Sequence, residues 1–187
     1  MLSYNQITNS EINNNGVSIK EIAPIMKLNL RGKTREFFTN VGKSLNMILP
    51  TEANTSASSD KLTAIWLSPD EWMIVSNEKV SIDTNQYELN DILFNNISKT
   101  SLGAVTDVTD QFVQLELKGS KIYELFSSGC PFNFNEFKEK KGSTTQTVLN
   151  HIDVILQHKE ENIVNLFVRR SFAEHLCDWI KDIASRL

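Results

Sequence analysis

The sequence predicts an α+β fold built from antiparallel sheets with helices. Strand-like runs outnumber helical ones, and successive strands are joined by tight turns more often than by helical crossovers. The two halves also repeat a coarse order of strand, helix and paired strands, although no internal sequence repeat accompanies it. A chain of 187 residues suits one compact domain or two small subdomains sharing a core.

The elements follow in order. Residues 1–16 are polar and Asn-rich and read as an N-terminal arm. Residues 17–22 read as a strand, and residues 25–32 as another, with Met26, Leu28 and Leu30 on its apolar face and Gly32 at its end. Thr34 is the expected N-cap of a helix carrying Phe37, Phe38, Val41 and Leu45, closed by Pro50. Residues 51–60 read as a loop. Residues 62–67 and 72–75 form a hairpin through the turn 68–71, with Pro69 at its second position. A second helix is expected around 86–95, with Leu89, Ile92 and Leu93 on its apolar side. Strands follow over 104–109 and 112–117. In the latter, Val113, Leu115 and Leu117 face one way and Phe112, Gln114 and Glu116 the other. A third helix over 121–129 takes Ser120 as N-cap and Gly129 as its stop. After the basic, polar stretch 138–143, a strand pair is read over 145–157 and 162–170. Ser171 and Glu174 then predict a capping box, opening a helix with Phe172, Leu176, Trp179 and Ile183 along one stripe. Residues 17–187 thus read as one compact domain, with two subdomains meeting near 99–105 as the alternative.

Composition removes several classes. Hydrophobic residues are 40% and charged residues 22%, which excludes a disordered chain. With 19 Lys and Arg against 23 Asp and Glu, the net charge is −4. No basic field for nucleic acid and no aromatic RNA-binding strand signature is present. No apolar run approaches a spanning helix or a signal core, so membrane partners are not expected. Two cysteines without zinc-type spacing suit reduced thiols in the cytoplasm. The dinucleotide fingerprint, the P-loop, H-E-x-x-H and the nucleophile elbow G-x-S-x-G are all absent.

Cys130 follows a helix C-terminus, the end that does not lower a thiol pKa, and Cys177 lies inside an amphipathic helix, so both read as packed thiols. His151 and Asp153 would share a strand face, His158 falls in a polar turn, and His175 lies beside the last helix's stripe; no triad or metal set follows. Asp107 and Asp110 read as turn caps. The adjacent Arg169 and Arg170 point opposite ways on a strand and suit an interface or structural role better than an anion clamp. No catalytic, cofactor-binding or metal residue is assigned. The candidate interface residues are Pro69, Asp70 and Glu71 at the hairpin tip, with Arg169 and Arg170.

Four blocks, in order, carry a family resemblance: LNLRG (28–32) with a later MILP (47–50); WLSPDEW (66–72); VTDVTDQFVQLELKGSKIYELFSSGCPFNF (105–134); and LFVRRSFAEHLCDWI (166–180). Together they resemble the gamma-subunit family of heterotetrameric sarcosine oxidases. Ser68 stands where that family usually has Gly, Asp110 where it often has His, and Cys177 where Trp is common. The resemblance implies two interlocked subdomains like the folate-binding domain of aminomethyltransferases. It implies a non-catalytic subunit whose partners are alpha, beta and delta subunits. FAD, FMN, NAD, tetrahydrofolate and zinc would reside in those subunits. The complex would oxidise sarcosine to glycine with hydrogen peroxide and methylenetetrahydrofolate as further products. An independent folate-binding or methyl-transfer module is the alternative.

Overall fold

The computed structural model describes residues 6–7, 11–76 and 88–187. It forms two compact units. Unit 1 combines Met1–Ala23 with Gln111–Leu187, and unit 2 is Pro24–Asp110, inserted in sequence between those two pieces. The chain therefore passes between units at 23–24 and 110–111, not near 99–105.

In chain order, unit 1 begins with β1 (Ile12–Asn14) and β2 (Val17–Glu21). Unit 2 contains β3 (Lys27–Arg31), α1 (Arg35–Leu45), β4 (Ser56–Ser58), β5 (Leu62–Ser68), β6 (Glu71–Ser76), α2 (Glu88–Leu93) and β7 (Ala104–Asp107). Unit 1 then resumes with β8 (Phe112–Lys118), α3 (Ile122–Ser127), β9 (Thr144–Leu149), β10 (Ile152–Glu160), β11 (Ile163–Arg169) and α4 (Arg170–Arg186).

In unit 2 the sheet order is β4-β5-β6-β3-β7, and every neighbouring pair is antiparallel. The pairing of β7 with β3 keeps residues 104–107 in this unit. Thr34 caps α1 as its sequence predicts, its Oγ1 accepting the Phe37 N–H at 3.1 Å. Leu28, Leu30, Phe37, Val41 and Trp72 pack in one core. Trp72 meets Phe38 edge-on and donates its Nε1–H to the Pro50 carbonyl at 2.8 Å. Gly32 is needed because a Cβ there would lie 2.3 Å from the Phe37 ring.

In unit 1 the order is β1-β2-β8-β11-β10-β9, again antiparallel throughout. One face of this sheet joins Val113, Leu115, Leu117, Leu156 and Leu166 to Ile122 and Leu125 of α3 and to Leu176 and Ile180 of α4. The opposite face is buried but polar, carrying Gln114, Glu116, Thr144, Gln157 and Asn165. Glu116 accepts from Lys159 at 2.7 Å and lies 3.0 Å from Lys118 Nζ, and Asn165 donates to Gln157 at 3.0 Å. These partners offset the cost of burying such groups.

Several local expectations change. Ile12–Asn14, read as arm, forms a strand because Asn15 and Gly16, both at positive φ, turn the chain back onto β2. The loop at 51–60 contains the short edge strand β4. The helix read around 86–95 is described from Glu88, residues 86 and 87 lying outside the described residues, and it continues as a π-helical turn over Phe94–Ser98. Ser120 does not cap α3, whose N-cap is Lys121 without a side-chain bond. The run 145–157 divides into two strands at Asn150 and His151, with φ 50° and 63°. Strand β11 runs straight into α4, so Ser171 sits inside the helix and no capping box forms. The Arg170 N–H is bonded by the Gln111 carbonyl at 2.8 Å instead. The buried stripe of α4 is consequently Ala173, Leu176, Cys177, Ile180 and Ala184; Phe172 is exposed, and Trp179 and Ile183 are half-buried. No helix among the described residues is long and apolar enough to cross a membrane.

Candidate functional site

The polar face of the unit 1 sheet holds a cleft of about 560 Å³. It is lined by Phe112 of β8, Gln146, Thr147 and Val148 of β9, Asp153, Val154 and Ile155 of β10, and Phe167 and Arg169 of β11. Strand register explains why these residues meet. Gln146 pairs with Ile155, Ile155 with Phe167, and Phe167 with Gln114, which sets four side chains in a row on one face. The next row runs Val148, Asp153, Arg169, Phe112: Val148 pairs with Asp153, Arg169 with Phe112, and the Val154–Val168 pair sets Asp153 opposite Arg169.

Arg169 and Asp153 are both exposed. The Arg169 guanidinium lies 6.0 Å from the centre of the Phe112 ring. The Asp153 carboxylate has no hydrogen-bond or ion-pair partner among the described residues. In the adjoining row, Gln114 Oε1 is buried without a hydrogen-bond partner.

The residues singled out from the sequence fall in several places. At the β5–β6 hairpin tip Pro69 and Asp70 are exposed, and Ser68 Oγ donates to Asp70 Oδ1 at 2.8 Å. Glu71 is held inside unit 2, accepting from Asn29 Nδ2 at 2.7 Å and from Arg31 Nη2 at 2.8 Å. Arg170 is half-buried at the start of α4. His151 is exposed in the turn, so it does not share a strand face with Asp153. His158 is not in a turn. It is buried in β10, with Nδ1 3.0 Å from the Lys140 carbonyl and its ring 5.8 Å from that of Phe137. His175 is exposed on α4. Asp107 caps its turn, accepting the Thr109 N–H at 2.8 Å. Cys130 Sγ lies 3.5 Å from Thr147 Oγ1. Burial pushes the Cys177 thiol pKa up, with Lys181 opposing, which is the wrong direction for a nucleophile. In the sequence Asp153 stands near His151 and Arg169 beside Arg170; only the β10–β11 register brings Asp153, Arg169 and Phe112 together.

A flavin or nicotinamide dinucleotide needs backbone N–H groups, exposed by glycines, aimed at its phosphates. The glycines before α1 and α3 do not leave that space. Gly32 is filled by Phe37, and Gly119 packs on Gly16, whose carbonyl oxygen would be 1.8 Å from an added Cβ. Neither Gly32 nor Gly119 therefore opens a phosphate-binding loop. Among the described residues no three His, Cys, Asp or Glu side chains converge as metal ligands.

A family model described as the sarcosine oxidase, gamma subunit family matches residues 32–186. Sarcosine oxidase subunit gamma of Corynebacterium sp. (strain U-96) is 27% identical over 176 residues, covering 90% of this chain and 80% of that protein. The subunit of the same description from Corynebacterium sp. (strain P-1) is 26% identical over 171 residues, covering 90% and 80%. Among solved structures, a chain of the heterotetrameric sarcosine oxidase from Corynebacterium sp. U-96, in complex with pyrrole 2-carboxylate, is similar with a TM-score of 0.82 at 22% identity, covering 94% of this chain and 87% of that one. The glycine cleavage system aminomethyltransferase T from Bartonella henselae is similar with a TM-score of 0.60 at 15% identity, covering 92% and 50%. The α+β fold with antiparallel sheets, and its likeness to aminomethyltransferases, are thereby as the sequence led one to expect.

Proposed function

The chain belongs to the sarcosine oxidase gamma subunit family, and from that premise we propose that it is the non-catalytic subunit of a heterotetrameric sarcosine oxidase. The observation that carries this is the reach of the family match, whose residues 32–186 include most of both units. In this reading alpha, beta and delta subunits are its partners and hold FAD, FMN, NAD, tetrahydrofolate and zinc. The assembly acts in the cytoplasm. It converts sarcosine to glycine, releases hydrogen peroxide and delivers the methyl carbon as methylenetetrahydrofolate.

The role of this chain is then contact. Pro69 and Asp70 at the hairpin tip and Arg170 at the start of α4 are the proposed contact points. Glu71 supports the tip through Asn29 and Arg31. Arg169, next to Arg170 in sequence, borders the unit 1 cleft. An independent folate-binding or methyl-transfer module is not favoured, because the likeness to aminomethyltransferase T at 15% identity carries the fold alone.

Co-purification tests the reading. The tagged chain, expressed with the proteins encoded beside it, should elute with larger flavin-bearing subunits and with sarcosine oxidase activity. The chain expressed alone should be colourless and inactive. A chain that never co-elutes with such subunits at low salt and micromolar concentration is not part of that assembly.

A further inference from the structure

The unit 1 cleft combines features that the subunit role does not use. Asp153 and Arg169 face each other from adjacent strands, at positions where opposite charges ordinarily pair and add to sheet stability. Here they do not pair with each other. The guanidinium rests over Phe112, and the carboxylate has no partner among the described residues. Two charges of opposite sign thus stand side by side at one cleft, each with its bonding capacity unspent.

That arrangement selects its guest by charge. Asp153 repels a phosphate or other polyanion that Arg169 would attract, and Arg169 repels a metal cation or polyamine that Asp153 would attract. A molecule carrying one carboxylate and one ammonium a short distance apart satisfies both. Between the two charged positions and Gln146, the cleft is lined by Ile155 and Phe167, which suit an apolar body. Gln114, beside Phe167 in the same row, holds a buried acceptor without a donor. The volume of about 560 Å³ lies within the range of small-ligand sites, roughly 300–1,000 Å³.

We infer that this cleft binds a free amino acid as its zwitterion, with the carboxylate on Arg169, the ammonium on Asp153 and an apolar side chain beside Ile155 and Phe167. The site would lie within unit 1 alone and does not rest on the oxidase assignment. It would be a binding site.

Calorimetric titration of the full chain tests this with four probes: phenylalanine, leucine, N-acetylphenylalanine and phenylalaninamide. Phenylalanine or leucine should bind saturably. The acetylated and amidated probes, each missing one charge, should bind at least about tenfold more weakly. Asp153→Asn and Arg169→Gln should each weaken the amino acid by at least about tenfold, and circular dichroism should show both variants folded, since both side chains are exposed. No saturation by either amino acid up to about 10 mM would overturn the inference. So would equal binding of the one-charge probes, or unchanged affinity in both variants. Because the titration uses the chain without other subunits, its failure leaves the subunit role standing, and a failed co-purification leaves the cleft standing.

Discussion

Gly129 packs against the Trp179 indole: a Cβ built on Gly129 would be 2.6 Å from Trp179 Cη2. The backbone there has little room to retreat, because the Gly129 N–H bonds the Phe126 carbonyl at 3.1 Å and its own carbonyl accepts the Asn150 N–H at 3.0 Å. Gly129→Ala should therefore destabilise the chain by about 1–3 kcal/mol through overpacking. In a Trp179→Leu background the same change should cost markedly less, because the clashing ring is gone. Urea melts of the four proteins measure this coupling. An Ala variant as stable as the parent would show that the indole swings aside freely.

Trp72 is the centre of the unit 2 core, fully buried, against Phe37 and Phe38 and bonded to the Pro50 carbonyl. Trp72→Ala should cost about 3–5 kcal/mol from lost transfer energy and the cavity left behind. Trp72→Phe should cost less, although it leaves the Pro50 carbonyl without its donor. A denaturant midpoint for Trp72→Ala close to that of the parent would contradict this packing.

Helix starts separate what a local pattern reveals from what it does not. Thr34→Ala should lose about 1 kcal/mol, because its hydroxyl caps Phe37. Ser171→Ala should stay within about 0.5 kcal/mol, because Ser171 lies past the first residue of α4 on an exposed face. Reversed magnitudes in thermal melts would restore the capping box read from the sequence.

Glu116 gives the fold a pH dependence. Burial acts to raise its pKa, but hydrogen bonds and charge from Lys159 and Lys118 outweigh this and hold the carboxyl below its ordinary 4.5. With the folded value below the unfolded one, the stabilisation is present in full above about pH 4.5 and drains away as pH falls through the lowered folded value. Lys118 is the mirror case. Its pKa is raised by the hydrogen bond and charge of Glu116, so its share persists below about pH 10.5 and is lost as pH rises through the folded value. Urea midpoints taken across the acid range should fall less steeply for Glu116→Gln than for the parent. Parallel curves would remove Glu116 from the acid response.

The sequence carried whatever is encoded within a few residues. Alternating Met26, Leu28 and Leu30, the Thr34 cap and the Pro69 turn each report a local choice, and the structure keeps them. The features that changed depend on distant partners. The α4 start is set by Gln111, 59 positions before Arg170. The role of Gly129, in the turn after α3, is set by Trp179 on α4. The cleft had no local signal: Asp153 and Arg169 are 16 positions apart, and only a specified β10–β11 register, which a one-residue slip would invert, sets them face to face. His158 lies in β10 for a related reason. Its polar surroundings read as a turn, whereas β10 continues to Glu160 and the His158 ring packs on Phe137.

The contact proposal can be separated from folding by charge reversal at the hairpin tip. Asp70 is exposed and takes a hydrogen bond from Ser68, its neighbour in the same turn, so Asp70→Lys should leave stability within about 0.5 kcal/mol of the parent. If the tip meets a larger subunit in a desolvated pair, the reversal places like charges together and should weaken assembly by at least about tenfold. At a wet rim it would change little. Glu71→Gln should behave differently. It weakens the bonds to Asn29 and Arg31 within unit 2 and should lower stability by up to about 1 kcal/mol, with assembly following folding. Arg170→Glu completes the set, since it reverses charge at the start of α4 while its backbone bond to Gln111 is unaffected. Circular dichroism reads folding, and co-elution with the larger subunits across a salt series reads assembly, whose dependence on salt should be shallower in a variant that has lost a steering charge. If Asp70→Lys and Arg170→Glu both fold and both co-elute as the parent does, the contact lies elsewhere on the chain, and the exposed Ile48 and Phe94 of unit 2 become the next positions to test.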